Sequence, residues 1–208
     1  MPAYNEEKTI SAVLQTIKNV KEVDRIIVVS DASTDSTVEI AKNEGVEVVD
    51  LQTNLGKGGA VKAGLDITDT DIILLLDADL MGLSSTHVRS LLEPVIAGRA
   101  DMSVGLFGHG RGITDFAQKV APFLSGQRAL KKNIFDGLTE VDMSRFGVEF
   151  SLHHYAEENS LIVEEVVLRD LTHVMKEEKM GLIKGSAARI KMYWEVFMSI
   201  VKANNPLE

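Results

Sequence analysis

Two carboxylates one residue apart stand near the end of the most apolar stretch of the chain. This stretch, IILLLDADL, runs from Ile72 to Leu80 and contains Asp77 and Asp79. A short apolar run bounded by polar residues is typical of a strand buried on both faces, and ligands bind at the carboxyl ends of such strands. Paired carboxylates suit hard cations such as Mg²⁺ or Mn²⁺. The structural alternative is that Asp77 caps a turn and Asp79 caps the following helix.

A glycine-rich segment with one lysine precedes this pair of carboxylates. Asn54 to Ala60 reads NLGKGGA. Glycines let a backbone approach a ligand closely, and Lys57 is placed to meet a phosphate or a base carbonyl. The GxxxxGK[ST] spacing of a Walker A loop is absent. The segment therefore predicts either a ligand-binding turn or an ordinary glycine-rich helix entry.

The elements that must position these residues alternate between apolar runs and amphipathic segments. Met1 to Glu7 opens the chain without a preceding strand, Asn5 is a candidate N-cap, and Ile10 to Val20 has helical periodicity. The alternation predicts an α/β fold with a parallel, Rossmann-like sheet. Further predicted strands cover residues 25–30, 46–51, 72–80, 100–107 and 161–168, and further predicted helices cover 36–43, 84–96, 115–123, 127–135 and 144–157.

The middle of the chain combines a glycine-rich loop with a cluster of basic residues. Gly105 to Thr114, GLFGHGRGIT, suits a lid or an acceptor loop, with simple loop flexibility as the alternative. The basic cluster predicts either a site for an anionic acceptor or a solvated helical face. Its members are Arg111, Lys119, Arg128, Lys131 and Lys132.

The last third of the chain holds a single histidine of interest and an amphipathic helix. His173 follows the predicted strand at 161–168 by five residues; a lone histidine is usually structural, but this one could complete a metal site begun by Asp77 and Asp79. Residues 182–202 predict a helix with an apolar stripe and basic flanks. Such a helix packs over a sheet, forms an oligomer interface or rests on a membrane surface.

Composition excludes several functions. The chain has 208 residues, no cysteine and a net charge of −9. Disulfides and thiolate chemistry are therefore impossible, and general nucleic-acid binding is disfavoured. No apolar run reaches the roughly 18 residues of a membrane span, and no signal peptide is visible. We expect a cytoplasmic protein, with contact to the inner face of the membrane through the last helix as an open alternative.

Taken together, these segments resemble family 2 glycosyltransferases. PAYNEE, VSDASTDST, NLGKGGA and LLLDADL stand in the family's order and spacing within residues 1–80. The resemblance implies the A-type fold, a Rossmann-like and mostly parallel sheet with helices on both faces. It also implies one glycosyltransferase domain over 1–208. Its parts would be a nucleotide-sugar half (1–100), an acceptor half (101–180) and the C-terminal helix (181–208).

The resemblance assigns roles to single residues. Asp31 would contact the base, with Ser33 in the same turn. Asp77 would lie near the ribose and the metal, while Asp79 would bind Mg²⁺ or Mn²⁺ directly. The complete nucleotide pocket would contain Pro2, Ala3, Tyr4, Glu6, Asp31, Ser33, Gly56, Lys57, Gly58 and Asp77.

The second half is similar to two branches of the family, the polyprenyl-phosphate sugar transferases and the glucosyl- or mannosyl-phosphoglycerate synthases. Residues 125–130, SGQRAL, match a glycine-centred acceptor motif, and FGVE at 146–149 matches a Tyr-Gly-x-Glu pattern. His173 matches the metal-binding histidine of the phosphoglycerate branch, although the residues after it depart from that pattern. The implied acceptor-binding residues are Arg111, Thr114, Gly126 and Arg128, the first two with one more residue between them than the family has.

The chain departs from the family most clearly at its start. An apolar strand normally precedes the Pro-Ala-Tyr-Asn-Glu motif, and here Met1 takes its place. We therefore expect the first strand to be missing, with neighbouring backbone groups left unpaired. We interpret this departure as a misassigned start or a truncated chain, and the alternative is a sheet that tolerates the missing strand and binds nucleotide poorly.

The resemblance implies transfer of a sugar from a UDP- or GDP-sugar to an anionic acceptor, either small or lipid-linked. A divalent ion on Asp79 and His173 would neutralise the departing diphosphate. A phosphate acceptor is already ionised, whereas a hydroxyl acceptor in an inverting enzyme needs a base, for which Glu149 and Asp136 are candidates. The implied catalytic residues are Asp77, Asp79 and Glu149. The alternatives are a non-catalytic nucleotide-sugar-binding paralogue and a nucleotidyltransferase on a related fold; a homodimer is a further expectation.

Overall fold

The computed structural model describes residues 1–108, 125–138 and 147–173. Met1–Thr172 form one compact unit, and the second unit, His173–Glu208, is described only at its first residue. The strands are β1 (Pro2–Ala3), β2 (Ile27–Ser30), β3 (Glu47–Asp50), β4 (Ile72–Leu75), β5 (Leu80–Met81), β6 (Met102–Gly108), β7 (Arg128–Lys131), β8 (Val163–Arg169) and β9 (Thr172–His173). The helices are α1 (Ile10–Lys18), α2 (Thr37–Asn43), α3 (Gly56–Asp66), α4 (Ser85–Ile96), α5 (Asn133–Asp136) and α6 (Val148–Glu158).

A parallel three-stranded sheet, in the order β1-β2-β3, carries the beginning of the chain. Pro2 lies opposite Val29 and Ala3 opposite Ser30. The N–H of Asp31 extends this ladder by donating to the carbonyl of Ala3 at 2.8 Å. A strand of two residues therefore stands where the sequence predicted none, because so short a segment supplies enough backbone groups to pair with the end of β2.

A second, four-stranded sheet has the order β4-β7-β6-β8. β8 is parallel to β6, whereas β7 is antiparallel to both of its neighbours. The helix predicted over residues 127–135 is therefore wrong, since β7 replaces most of it and only the short α5 follows. Ala129 and Leu130 are completely buried on opposite faces of the sheet. Pairing on both edges and burial on both faces override local helix propensity there.

The carboxylate-bearing stretch is also shorter as a strand than predicted. β4 ends at Leu75, and Asp77 and Asp79 lie in the turn that leads to β5, which forms a two-stranded sheet with β9. The pair of carboxylates is thus presented by a turn beyond a strand end.

Helices cover the four-stranded sheet on both faces. On one face, Val88, Leu91 and Val95 of α4 pack with Val13 and Ile17 of α1. On the other face, side chains of α3, α5 and α6 pack against β6 and β7. The apolar stripe predicted for the first helix is confirmed, because its five members are all buried. They are Ile10, Val13, Leu14, Ile17 and Val20.

The first helix begins later than Asn5. Thr9 occupies the N-cap position of α1, while Asn5 has a left-handed backbone with φ of 56°. The side-chain oxygen of Asn5 accepts a hydrogen bond from the N–H of Thr34 at 2.8 Å. Asn5 therefore joins two loops instead of capping a helix. Among the residues that the structure describes, no helix is long and apolar enough to cross a bilayer.

Candidate functional site

Three charged side chains from distant parts of the chain meet beyond the carboxyl end of β4. Lys57 comes from the first turn of α3, Asp77 from the turn after β4, and Glu149 from the first turn of α6. The Lys57 ammonium lies 2.5 Å from Asp77 Oδ1 and also pairs with Glu149 Oε1. Each carboxylate side chain is only 19% exposed. We call Lys57, Asp77 and Glu149 the charge cluster.

Their mutual electrostatics favour the charged forms of Lys57 and Glu149. Burial alone would lower the pKa of Lys57, but the charges of Asp77 and Glu149 outweigh it and hold that pKa above its ordinary value. Burial alone would raise the pKa of Glu149, but the Lys57 ammonium holds it below its ordinary value. One cation thus sits between two carboxylates, which is a polar arrangement typical of a site and not of an apolar core.

A loop at the start of β7 closes over the charge cluster. Gln127 Nε2 donates to Asp77 Oδ2 at 3.1 Å. A Cβ atom on Gly126 would lie 2.5 Å from Lys57 Nζ and 2.6 Å from Asp77 Oδ2. Only glycine fits at position 126 without displacing the ion pair, so Gly126 belongs to the wall of this cluster.

Asp79 lies two residues beyond Asp77 in the same turn and is half-buried. Both oxygens of Asp77 are already engaged, by Lys57 and by Gln127. Carboxylate oxygens are the donors that Mg²⁺ and Mn²⁺ prefer, so the donor chemistry of this turn fits a divalent ion. The assignment of Asp79 as its direct ligand stays a prediction. No group of three or more acidic or histidine side chains converges within residues 1–108, 125–138 and 147–173. The predicted partner His173 lies in β9, and its side chain falls outside the described part.

Asp31 ties three of the sequence motifs together. Its side chain is buried, and Oδ1 accepts from the N–H of Leu55 at 2.7 Å. Its carbonyl accepts from Asn54 Nδ2 at 3.1 Å, and its N–H donates to the carbonyl of Ala3. The ends of β1 and β2 and the entry to α3 are therefore held at one edge by a single residue.

The turn after β2 is fastened to the segment before α1. The N–H of Glu6 donates to Thr37 Oγ1 at 2.7 Å, and the N–H of Glu7 donates to Asp35 Oδ2 at 3.1 Å. The N–H of Asn5 donates to Ser33 Oγ at 3.2 Å. These bonds tie the two segments together, and the side chain of Tyr4 beside them is half exposed.

Asp35 shows how strongly this turn favours a carboxylate. Burial alone would raise its pKa, but the hydroxyl and N–H of Thr37 and the N–H of Glu7 all donate to the carboxylate. These hydrogen bonds hold the pKa of Asp35 below its ordinary value.

The predicted nucleotide-binding residues all lie at or just beyond strand ends or at the start of a helix. They lie at the ends of β1, β2 and β4 and at the start of α3. Gly56 has φ of 76°, a conformation that favours glycine, and Gly58 is buried in the first turn of α3. This set comprises Pro2, Ala3, Tyr4, Glu6, Asp31, Ser33, Gly56, Lys57, Gly58 and Asp77.

The predicted acceptor residues are only partly placed. Arg111 and Thr114 lie outside the described residues, whereas Gly126 contacts the charge cluster. Arg128 is completely buried, and its Nε donates to the carbonyl of Ser125 at 2.9 Å. Burial lowers the pKa of Arg128 to about 10, and the charge of Glu149 opposes that effect.

The described members of the basic cluster do not form a solvated helical face, because Arg128 and Lys131 lie in the strand β7. Arg128 is interior. Lys131 pairs with Asp101 at 2.7 Å, and Lys132 donates to the carbonyl of Thr68 at 2.7 Å. Asp136, a candidate base, is an exposed residue of α5. Sequence reasoning also missed Gln127, because no local pattern marks a glutamine that reaches a carboxylate 50 residues away.

Comparison with known proteins places this architecture in a family. The family model described as glycosyl transferase family 2 matches residues 1–154. The chain belongs to glycosyl transferase family 2. Over 105 residues, it is 36% identical to glucosyl-3-phosphoglycerate synthase from Mycolicibacterium smegmatis, covering 46% of the chain and 35% of that protein. Over 167 residues, it is 30% identical to glycosyltransferase AglJ from Haloferax volcanii, covering 71% of the chain and 54% of that protein. The chain thus spans about half or less of these two relatives.

Solved structures of a sugar transferase share the fold. Glucosyl-3-phosphoglycerate synthase from Mycobacterium tuberculosis, in complex with Mn²⁺, UDP and glucosyl-3-phosphoglycerate, matches with a TM-score of 0.71 and 26% identity. The match covers 83% of this chain and 70% of that one. The same enzyme in complex with phosphoglyceric acid matches with a TM-score of 0.71 and 25% identity. The fold of this glycosyl transferase family 2 member is therefore the A-type glycosyltransferase fold.

Proposed function

We propose that this protein is a metal-dependent glycosyltransferase that moves a sugar from a nucleoside-diphosphate sugar to an anionic acceptor. The observation that carries the proposal is the charge cluster and its neighbour Asp79, which stand where the β1, β2 and β4 ends meet. The matching mycobacterial enzyme was crystallised with UDP and Mn²⁺, which supports UDP as the first donor nucleotide to test. GDP is the second.

In this proposal Asp77 and Asp79 bind different parts of the donor complex, the ribose and the divalent ion. Lys57 and Gln127 already orient the carboxylate of Asp77, so it suits a hydrogen bond to a ribose hydroxyl. Asp79 holds the divalent ion, with His173 as the second proposed ligand. The ion supplies charge neutralisation for the departing diphosphate, which is the hardest part of glycosyl transfer.

Glu149 and Lys57 face the transferred sugar in this proposal. Lys57 holds the Glu149 carboxylate ionised, which makes Glu149 a poor proton donor and a good hydrogen-bond acceptor for hydroxyl groups. It therefore suits orienting a sugar or an acceptor hydroxyl. If the acceptor is a hydroxyl, Glu149 is the proposed base, and its lowered pKa makes it a weak one. A phosphate acceptor needs no base.

The acceptor is proposed to be a small phosphorylated acid such as a phosphoglycerate. Similarity to two phosphoglycerate synthases supports this choice. A polyprenyl phosphate is the second candidate, since both acceptors offer a phosphate. Arg111 and Thr114 are the proposed contacts for that anion, and Gly126 shapes the wall beside it.

The test is a turnover assay with radiolabelled UDP- and GDP-sugars, in Mn²⁺ or in EDTA. We expect slow donor hydrolysis in Mn²⁺ without acceptor and faster transfer when 3-phosphoglycerate or a short polyprenyl phosphate is added. EDTA should abolish both reactions. Binding of the donor without hydrolysis or transfer under any of these conditions would contradict the proposal and indicate a nucleotide-sugar-binding protein without activity.

A further inference from the structure

Gln127 is a buried polar side chain with one acceptor atom that has no partner within the described ranges. It has no exposed surface, and its Nε2 donates to Asp77 Oδ2 at 3.1 Å. Its Oε1 is buried and has no hydrogen-bond partner among the residues that the structure describes. A buried acceptor without a partner destabilises a fold. A function other than stability would explain why such a residue lies in the core.

The surroundings fix which way the Gln127 amide points. Turning the amide over would place Oε1 against the carboxylate of Asp77, with two acceptors facing each other. The backbone on either side is held as well. Ser125 Oγ donates to the carbonyl of Gly105 and accepts from the N–H of Gln127. The donor nitrogen is therefore aimed at Asp77 by the start of β7.

Gln127 and Lys57 each contact a different carboxylate oxygen of Asp77. Lys57 Nζ lies 2.5 Å from Oδ1, and Gln127 Nε2 lies 3.1 Å from Oδ2. An ammonium on a flexible stem attracts a carboxylate without fixing its plane, whereas a second donor on the other oxygen does fix it. Gly126 allows both contacts, because a side chain there would strike Lys57 and Asp77.

We propose that Gln127 is a positioning residue, kept in the core to fix the plane of the Asp77 carboxylate for ligand binding and not to stabilise the fold. This inference rests on the proposed function, since it takes Asp77 to be a group that contacts the nucleotide sugar. Removing a group that orients a metal-binding side chain typically lowers affinity or activity by roughly 10- to 100-fold, and we expect an effect of the same size for Asp77.

The test compares Gln127→Met with the wild-type protein. Methionine has similar length and volume and removes both the donor and the unpaired acceptor. We expect the affinity for UDP at saturating Mn²⁺ to fall roughly 10- to 100-fold. The melting temperature of the ligand-free protein should stay within about 2 °C of wild type, because the variant loses a hydrogen bond and also removes an acceptor that has no partner among the described residues. Titration calorimetry and thermal unfolding supply the two readouts.

Ser103→Ala is the matched control. Ser103 is also completely buried in the same sheet, and its Oγ donates to the carbonyl of Leu91 at 2.5 Å. This variant should lower the melting temperature and leave the affinity for UDP unchanged. If Gln127→Met instead lowers stability as Ser103→Ala does, or binds UDP as wild type does, the positioning role is overturned. If the wild-type protein itself fails to bind UDP and GDP in Mn²⁺, the proposed function fails first and this inference with it.

Discussion

The two sides of the candidate site are built in different ways. On the side formed by the ends of β1 and β2, which we call the loop side, short polar side chains bind backbone N–H groups of neighbouring loops, as Asp31 does with Leu55 and Asp35 does with Glu7. On the side of the charge cluster, long charged side chains meet across 20 to 92 residues of sequence, as Lys57 does with Asp77 and Glu149. Hydrogen bonds to the backbone hold the loop side, whereas ion pairs between side chains hold the charge cluster.

This difference predicts whether a substitution should mainly lower stability or mainly lower affinity and rate. A hydrogen bond from a backbone N–H to a carboxylate fixes a loop, so its loss should lower stability before it lowers affinity. An interaction between charged side chains inside a site acts on the ligand's charges, so its loss should lower affinity or rate before it lowers stability. Each of the following predictions sharpens or breaks that contrast.

The largest effect is expected from Asp79→Ala. Removing the proposed metal-binding carboxylate should reduce the transfer rate about a thousandfold or more, because neutralisation of the leaving diphosphate is lost. The melting temperature without ligand should stay near that of wild type. Steady-state transfer assays and thermal unfolding test both expectations. The exposed Asp69→Ala variant is the control, and turnover of Asp79→Ala at the wild-type rate would refute the metal role.

A smaller effect on affinity, combined with some loss of stability, is expected from Gly126→Ala. The new Cβ would push Lys57 and Asp77 apart, which should weaken UDP binding about tenfold and lower the free energy of unfolding by about 1–3 kcal/mol. Calorimetry and chemical denaturation measure the two quantities. Gly98→Ala is the control, since Gly98 has φ of 70° but open space around it. It should lose stability only, and an equal loss of affinity there would break the contrast.

The smallest effect is expected from Asp35→Asn on the loop side. The amide of asparagine is a weaker acceptor than a carboxylate for the three hydrogen bonds that Asp35 receives. The free energy of unfolding should therefore fall by about 1 kcal/mol at pH 7, with little change in affinity for UDP. Since the pKa of Asp35 is lowered in the folded state, its stabilising contribution is present above the unfolded-state pKa near 3.9. It disappears as the pH falls through the folded-state pKa.

Denaturation curves between pH 3 and pH 8 measure this difference. The gap between wild type and Asp35→Asn should be constant from about pH 5 upward and should close at lower pH. The exposed Asp69→Asn variant should show no comparable gap. A gap that widened on acidification would contradict the lowered pKa.

The loop side was largely predictable from the sequence. Its motifs are local, so the order and spacing of Asp31, Ser33 and the glycines of the Asn54–Ala60 segment are enough to assign them to one edge. The apolar periodicity of the first helix was equally local. Asn5 was the exception, because its left-handed backbone and its bond to Thr34 depend on a loop 29 residues away.

The charge cluster was predictable only as separate residues. Lys57, Asp77 and Glu149 were all named, but nothing in the sequence said that one ammonium bridges both carboxylates. The same lack of long-range information made residues 127–135 look helical, since β7 exists only through its pairing with β4 and β6. For the same reason the sequence did not predict the burial of Arg128, which it assigned to an acceptor site or to a solvated face. The roles of Arg111 and Thr114 stay predictions.

The most direct test of the central claim is thermal unfolding of the wild-type protein with UDP, GDP and related nucleotides, with and without Mn²⁺. A ligand at 100 times its dissociation constant should raise the free energy of unfolding by about 2.7 kcal/mol. We predict such stabilisation by UDP or GDP in Mn²⁺, its loss in EDTA and its loss in Asp79→Ala. Absence of stabilisation by every nucleotide, or stabilisation that neither EDTA nor Asp79→Ala changes, would contradict the claim that this edge binds a nucleoside diphosphate through a divalent ion.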